Sequence, residues 1–92
     1  METVKTIGIV GGGQLGRMLV VAAKRLGFAT IVLDPTLGCP AAQVADKHIL
    51  GDFKDKEKIH ELAAQSDFIT FEIESANAEA LDELLLKKHD IN

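Results

Sequence analysis

Tryptophan and tyrosine are missing from this 92-residue chain, and its four aromatic residues are all phenylalanine. A core made from such a sequence must be aliphatic, packed from Ile, Val, Leu, Met and Ala. Cysteine occurs once, which excludes an internal disulfide and suits a reducing compartment. That residue, Cys39, lies in a Gly38-Cys39-Pro40 loop far in sequence from any histidine able to activate it, so it reads as a small loop residue rather than a catalytic thiol. His48, His60 and His89 are scattered without metal-ligand spacing, and no metal site is expected. A basic stripe is also lacking. The formal net charge is −4, and the pairs Lys24-Arg25 and Lys87-Lys88 read as solvated helix faces, which excludes a nucleic-acid partner. No apolar run is long enough to cross a bilayer, and the opening Met1-Glu2-Thr3 has no basic segment followed by an apolar one. The expectation is a cytoplasmic protein with no membrane association.

With 47% hydrophobic and 26% charged residues, the chain has the balance of a soluble globular domain, and its length allows one such domain. Thr6 to Val10 is a short β-branched run that ends in Gly11-Gly12-Gly13, as a buried parallel strand would. The period then changes. Leu15, Met18, Leu19, Ala22, Ala23 and Leu26 fall at helical spacing, and Gly27 supplies the stop. A second strand is expected over Ala29 to Leu33, closed by Asp34-Pro35 because the residue before proline is pushed out of the helical region. Thr36 to Pro40 is loop by composition, Ala41 to Ala45 a single helical turn, and Lys47 to Leu50 a short third strand. A helix over Asp55 to Gln65 would turn Ile59, Leu62 and Ala63 inward; a fourth strand at Phe68 to Phe71 and a last helix at Ala76 to Lys88 follow. This order predicts an α/β fold, a small parallel sheet of about four strands with helices on both faces.

Ligands of such sheets bind outside the carboxyl ends of the strands, where strand order reverses. Three segments are expected to meet on that rim: Gly11 to Leu15, Asp34-Pro35, and Phe71 to Glu74. Gly11, Gly13 and Gly16 satisfy G-x-G-x-x-G between a strand and a helix, a pattern that gives a tight turn, close backbone approach and free amides that attract anions. Asp34 lies 21 residues after Gly13, where a dinucleotide-binding fold places the acid that holds a ribose hydroxyl. On these residues alone an NAD-type module stands beside a purely structural glycine turn. Gln14 at the helix entrance either reads a sugar or base substituent or simply caps the helix and faces water.

Four ordered segments narrow the choice: Gly11-Gly12-Gly13-Gln14-Leu15-Gly16-Arg17-Met18, Leu33-Asp34-Pro35, Ala41-Ala42-Gln43-Val44-Ala45-Asp46, and Thr70-Phe71-Glu72-Ile73-Glu74. Together they resemble the first domain of the PurK-type 5-(carboxyamino)imidazole ribonucleotide synthases, from about Lys5 to the final helix. The resemblance implies a Rossmann-like pre-ATP-grasp domain of an ATP-dependent ligase of purine biosynthesis. In that family, ATP and bicarbonate carboxylate aminoimidazole ribonucleotide, with ATP and magnesium held by later domains and the enzyme expected as a homodimer. It implies that Gly13, Gln14 and Leu15 contact the ribonucleotide, and that Glu72 meets it as the catalytic carboxylate, orienting its amine or taking a proton. It implies no cofactor-binding or metal-binding residue on this chain. Glu74 is then solvated or faces the next helix start, and Asp34 stabilises the Asp-Pro turn or caps a neighbour instead of holding NAD. Two departures qualify the match. No ATP-grasp segment follows within the 92 residues, so the chain alone is expected to be inactive, with exposed apolar surface that favours association or marginal stability. Ser75-Ala76-Asn77 stands where many relatives place Asn directly after the acidic strand. A partner-binding regulatory module remains a third, non-enzymatic reading.

Overall fold

The computed structural model describes residues 4–72. Within them the order is β1 Thr6–Val10, α1 Gln14–Arg25, β2 Ala29–Asp34, β3 Lys47–Leu50, α2 Lys56–Ala64 and β4 Phe68–Phe71. The expected helix over Ala76 to Lys88, together with Ile73 and Glu74, lies outside the described residues.

The four strands form one all-parallel sheet in the order β3-β2-β1-β4. The first strand, β1, is one of the two inner strands, and β2 and β4 pair with its two sides. Connections therefore step one way from β1 to β2 and back the other way from β3 to β4. With a fixed crossover hand, these two steps put their helices on opposite faces. The core divides accordingly. On the α2 face, Val10, Ile31, Leu33, Ile49, Ile59, Leu62 and Ala63 are buried together, with Phe53, Ile69 and Phe71 packed against them. On the α1 face, Ile9, Val20, Val32 and Ala41 form a smaller cluster. Period-two alternation along β1 and β2 feeds both.

The helix α2 buries Ile59, Leu62 and Ala63, as its spacing predicts. Complete burial of Ile59 and Leu62 contributes about 1.5–3 kcal/mol each. The helix α1 differs from what its apolar pattern suggests. It buries Gly16, Val20 and Ala23, whereas Leu15, Met18 and Leu26 stay exposed. The reason is Gly16: a Cβ there would run into the Gly11 carbonyl oxygen, so the helix sits too close to the strand end for any side chain. The seat follows the face of Gly16, Val20 and Ala23 and turns Leu15 and Met18 outward. Ala41 to Ala45 makes the expected single helical turn, in which Ala45 N–H donates to the Ala41 carbonyl at 2.9 Å.

Away from the rim, two carboxylates tie down the amino-terminal end of the sheet. Asp67 accepts the Thr6 amide at 2.7 Å, and Asp46 accepts both the amide (2.8 Å) and the hydroxyl (3.1 Å) of Thr30. The Thr30 amide bond holds the Asp46 carboxyl below its usual value, against partial desolvation; the Thr30 hydroxyl and the Lys24 ammonium 3.7 Å away act the same way. Among the described residues no helix is long and apolar enough to cross a membrane.

Candidate functional site

Val10, Leu33 and Phe71 are level with one another across β2, β1 and β4. The next residue on each strand, Gly11, Asp34 and Glu72, therefore lies on the carboxyl rim. The ladder continues one step past the register: the Gly11 amide donates to the Leu33 carbonyl (2.9 Å), and the Glu72 amide donates to the Val10 carbonyl (2.8 Å). Glu72 is thus held one strand spacing, about 5 Å, from the start of the glycine loop. Phe71 packs on the α2 face, so alternation assigns half-buried Glu72 to the face that carries α1. Of the three segments expected to meet, the described residues Gly11, Asp34 and Glu72 do meet, at the place where strand order reverses.

The glycine loop has two halves. Gly11 has φ 110°, which L side chains rarely adopt. Gly12 has no room for a Cβ, because the Cys39 sulfur fills that space and the Asp34 Cβ is 3.1 Å away. The peptide of Gly12 is also engaged at both ends: its amide donates to Asp34 Oδ2 at 2.8 Å, and its carbonyl accepts from Ala41 at 2.8 Å. Gly13 is different. Its φ of −74° suits any residue, and a Cβ there would meet none of the described residues within 4 Å. It is the N-cap of α1, makes no side-chain cap, and no acidic residue occupies the first helical turn. Exposed Gln14 and Leu15 follow. The first amides of a helix have no intrahelical acceptor, and the helix dipole adds partial positive charge there. The open half of the loop can therefore hold a phosphate, carboxylate or sugar oxygen from its backbone, with the Gln14 amide alongside.

Asp34 belongs to the closed half. Its second oxygen, Oδ1, accepts the Thr36 amide at 2.8 Å, and the residue is only 7% exposed. It caps the Asp-Pro turn and the glycine loop together, in place of offering a free carboxylate to a ribose. The buried Cys39 is the loop residue that packs against Gly12. Sequence reasoning found the turn but missed this double grip and the sulfur against Gly12. The Asp-Pro dipeptide signals a turn, and nothing in its spacing says which amides the carboxylate will take.

The fold and rim define a small α/β domain with a helix start and a strand-end acid on the same rim, at the reversal point. The chain belongs to the ribonucleotide synthetase preATP-grasp domain family, whose model matches residues 4–91. It is 56% identical over 79 residues to the N5-carboxyaminoimidazole ribonucleotide synthase of Brucella melitensis, a match covering 86% of this chain and 22% of that protein. A second relative of the same name, from Bacillus subtilis, is 48% identical over 75 residues, covering 82% and 20%. Among solved structures, the Thermotoga maritima N5-carboxyaminoimidazole ribonucleotide synthetase superposes with a TM-score of 0.89 at 46% identity, over 91% of this chain and 23% of that one. The Aspergillus clavatus N5-carboxyaminoimidazole synthase, in complex with ADP and 5-aminoimidazole ribonucleotide, gives 0.82 at 42% identity over 94% and 23%. The chain spans about a fifth of the length of these relatives.

Proposed function

We propose that this chain forms the ribonucleotide-side wall of an ATP-dependent ligase that carboxylates aminoimidazole ribonucleotide with bicarbonate in purine biosynthesis. The observation that carries the reading is that Glu72 and the start of the glycine loop stand side by side on one rim, in a chain whose relatives are named as this synthase. In the reaction, ATP and bicarbonate supply an activated carboxyl group as carboxyphosphate. The exocyclic amine of the ribonucleotide forms the N–C bond, phosphate leaves with the electron pair of the C–O bond, and the amine gives up a proton. The part played by this chain is to hold and orient. The backbone of Gly13, Gln14 and Leu15 and the Gln14 amide group bind ribonucleotide oxygens. The Glu72 carboxylate accepts a hydrogen bond from the amine, aims its lone pair and is placed to take the proton. ATP and magnesium belong to domains outside this chain, and the reading includes a cytoplasmic, homodimeric enzyme.

The inward-turned Asp34 carboxylate, shared by two backbone amides, favours this reading over an NAD-type module. The test joins this chain to the remaining segment of the Brucella melitensis relative and follows ADP release. Release should require both aminoimidazole ribonucleotide and bicarbonate, and Glu72→Gln should slow turnover about 100-fold. Release that ignores the ribonucleotide would overturn the assignment.

A further inference from the structure

We infer that Asp34 is a positioning residue of the ribonucleotide site: by gripping the Gly12 and Thr36 amides, one with each carboxylate oxygen, it fixes how the glycine loop presents its open half to the ligand. The inference rests on the ribonucleotide reading above. Asp34 closes β2, not the loop it controls, and lies 22 residues from Gly12 in sequence. Around Gly12 every direction is occupied. The amide is held by Asp34 Oδ2, the carbonyl by Ala41, and the space a Cβ would take by the Cys39 sulfur. One residue later, around Gly13, no described residue lies within 4 Å of that space. The boundary between fixed and open backbone thus falls one peptide before the amides that would meet the ligand. A carboxylate that accepts two amides makes charge-assisted bonds at both. The same Asp34 oxygens also tie the glycine loop to the β2–β3 loop.

A carboxamide in this place has only one accepting oxygen, and its NH2 group would face an amide donor. One buried amide then loses its acceptor, a loss that corresponds to about tenfold in an equilibrium constant. Asp46 supplies the control, because it ties backbone in the same way at the opposite end of β2 and does not touch the glycine loop.

The experiment has two arms. In the unaltered chain, hydrogen exchange should show Gly12 protected and Gln14 and Leu15 unprotected, with the latter two gaining protection when aminoimidazole ribonucleotide is added. Equal exchange at Gly12 and Gln14 in the free chain would remove the lock, whatever any variant does. In the ligase joined as above, Asp34→Asn should raise KM for the ribonucleotide about tenfold, leave kcat within about twofold, and leave KM for ATP unchanged. Asp46→Asn should lower stability without moving either KM. An unchanged ribonucleotide KM in Asp34→Asn, or an equal rise in Asp46→Asn, would overturn the inference while leaving the function in place. A ligase that never uses the ribonucleotide would overturn both.

Discussion

The two helices start at the same rim of the sheet and start in opposite ways. At α2, Asp55 caps the helix, its carboxylate accepting the amides of Glu57 (3.0 Å) and Lys58 (3.3 Å), and Glu57 adds negative charge in the first turn. At α1, Gly13 offers no side chain, and the first turn has no acid. The first arrangement satisfies the helix start internally and serves stability. The second, among the described residues, leaves the first amides and their partial positive charge without a capping side chain. The sheet faces show the same contrast. The α2 side is filled by a broad aliphatic core, while the α1 side holds a narrow one and leaves Leu15, Met18 and Leu26 in solvent. Among the described residues, one half of the domain closes on itself, and the other leaves a helix start and several large apolar side chains exposed.

Breaking the α1 seat should have the largest effect. Gly16→Ala gains helix propensity but drives a Cβ into the Gly11 carbonyl, a backbone atom with little freedom to yield. A net loss of about 2 kcal/mol is expected in urea unfolding, together with displacement of the glycine loop. Next comes an exchange of the two helix starts. Asp55→Ala should cost about 1 kcal/mol with no effect on ribonucleotide affinity. Gly13→Asp places a cap where the backbone is already extended and open, so it should stabilise the chain by about 0.5 kcal/mol and abolish ribonucleotide binding. Stabilisation with affinity retained would mean that the α1 amides are not the ligand contact.

Two smaller effects sharpen the picture. The double variant Met18→Gln with Leu26→Gln alters exposed residues, so stability should move by less than about 0.5 kcal/mol while any self-association seen by sedimentation falls. A stability loss of core size would show that these residues are buried after all. Acid unfolding should carry a signature of Asp46. Its folded pKa lies below the usual 3.8, so its contribution is complete above that value and is lost as the pH falls through the folded one. Asp46→Asn should flatten that part of the stability profile, and an unchanged profile would remove the Thr30 tie from the account.

Much of the fold was legible because it rests on changes of period. The β-branched runs at Thr6–Val10 and Phe68–Phe71, the helical spacing after the glycines and the turn at Asp34-Pro35 all report local geometry, and the structure places them with shifts of a residue at most. The meeting of Gly11, Asp34 and Glu72 was legible too, since parallel strands bring their carboxyl ends to one edge. The direction in which α1 packs was not. Its seat is set by Gly16, a residue without hydrophobic signal, while the conspicuous Leu15, Met18 and Leu26 face outward. Asp34 was ambiguous for a related reason. The spacing of an acid after a glycine loop is the same whether its carboxylate turns toward a ribose or back onto the loop, and only the backbone partners distinguish the two.

The most direct test of the ribonucleotide wall is an amide-resolved NMR titration of this chain with aminoimidazole ribonucleotide and, separately, with NAD. The account predicts shifts at Gly13, Gln14, Leu15 and Glu72 with the ribonucleotide and none with NAD. Shifts centred on Gly11, Gly13 and Asp34 with NAD alone would contradict it and make this a dinucleotide module.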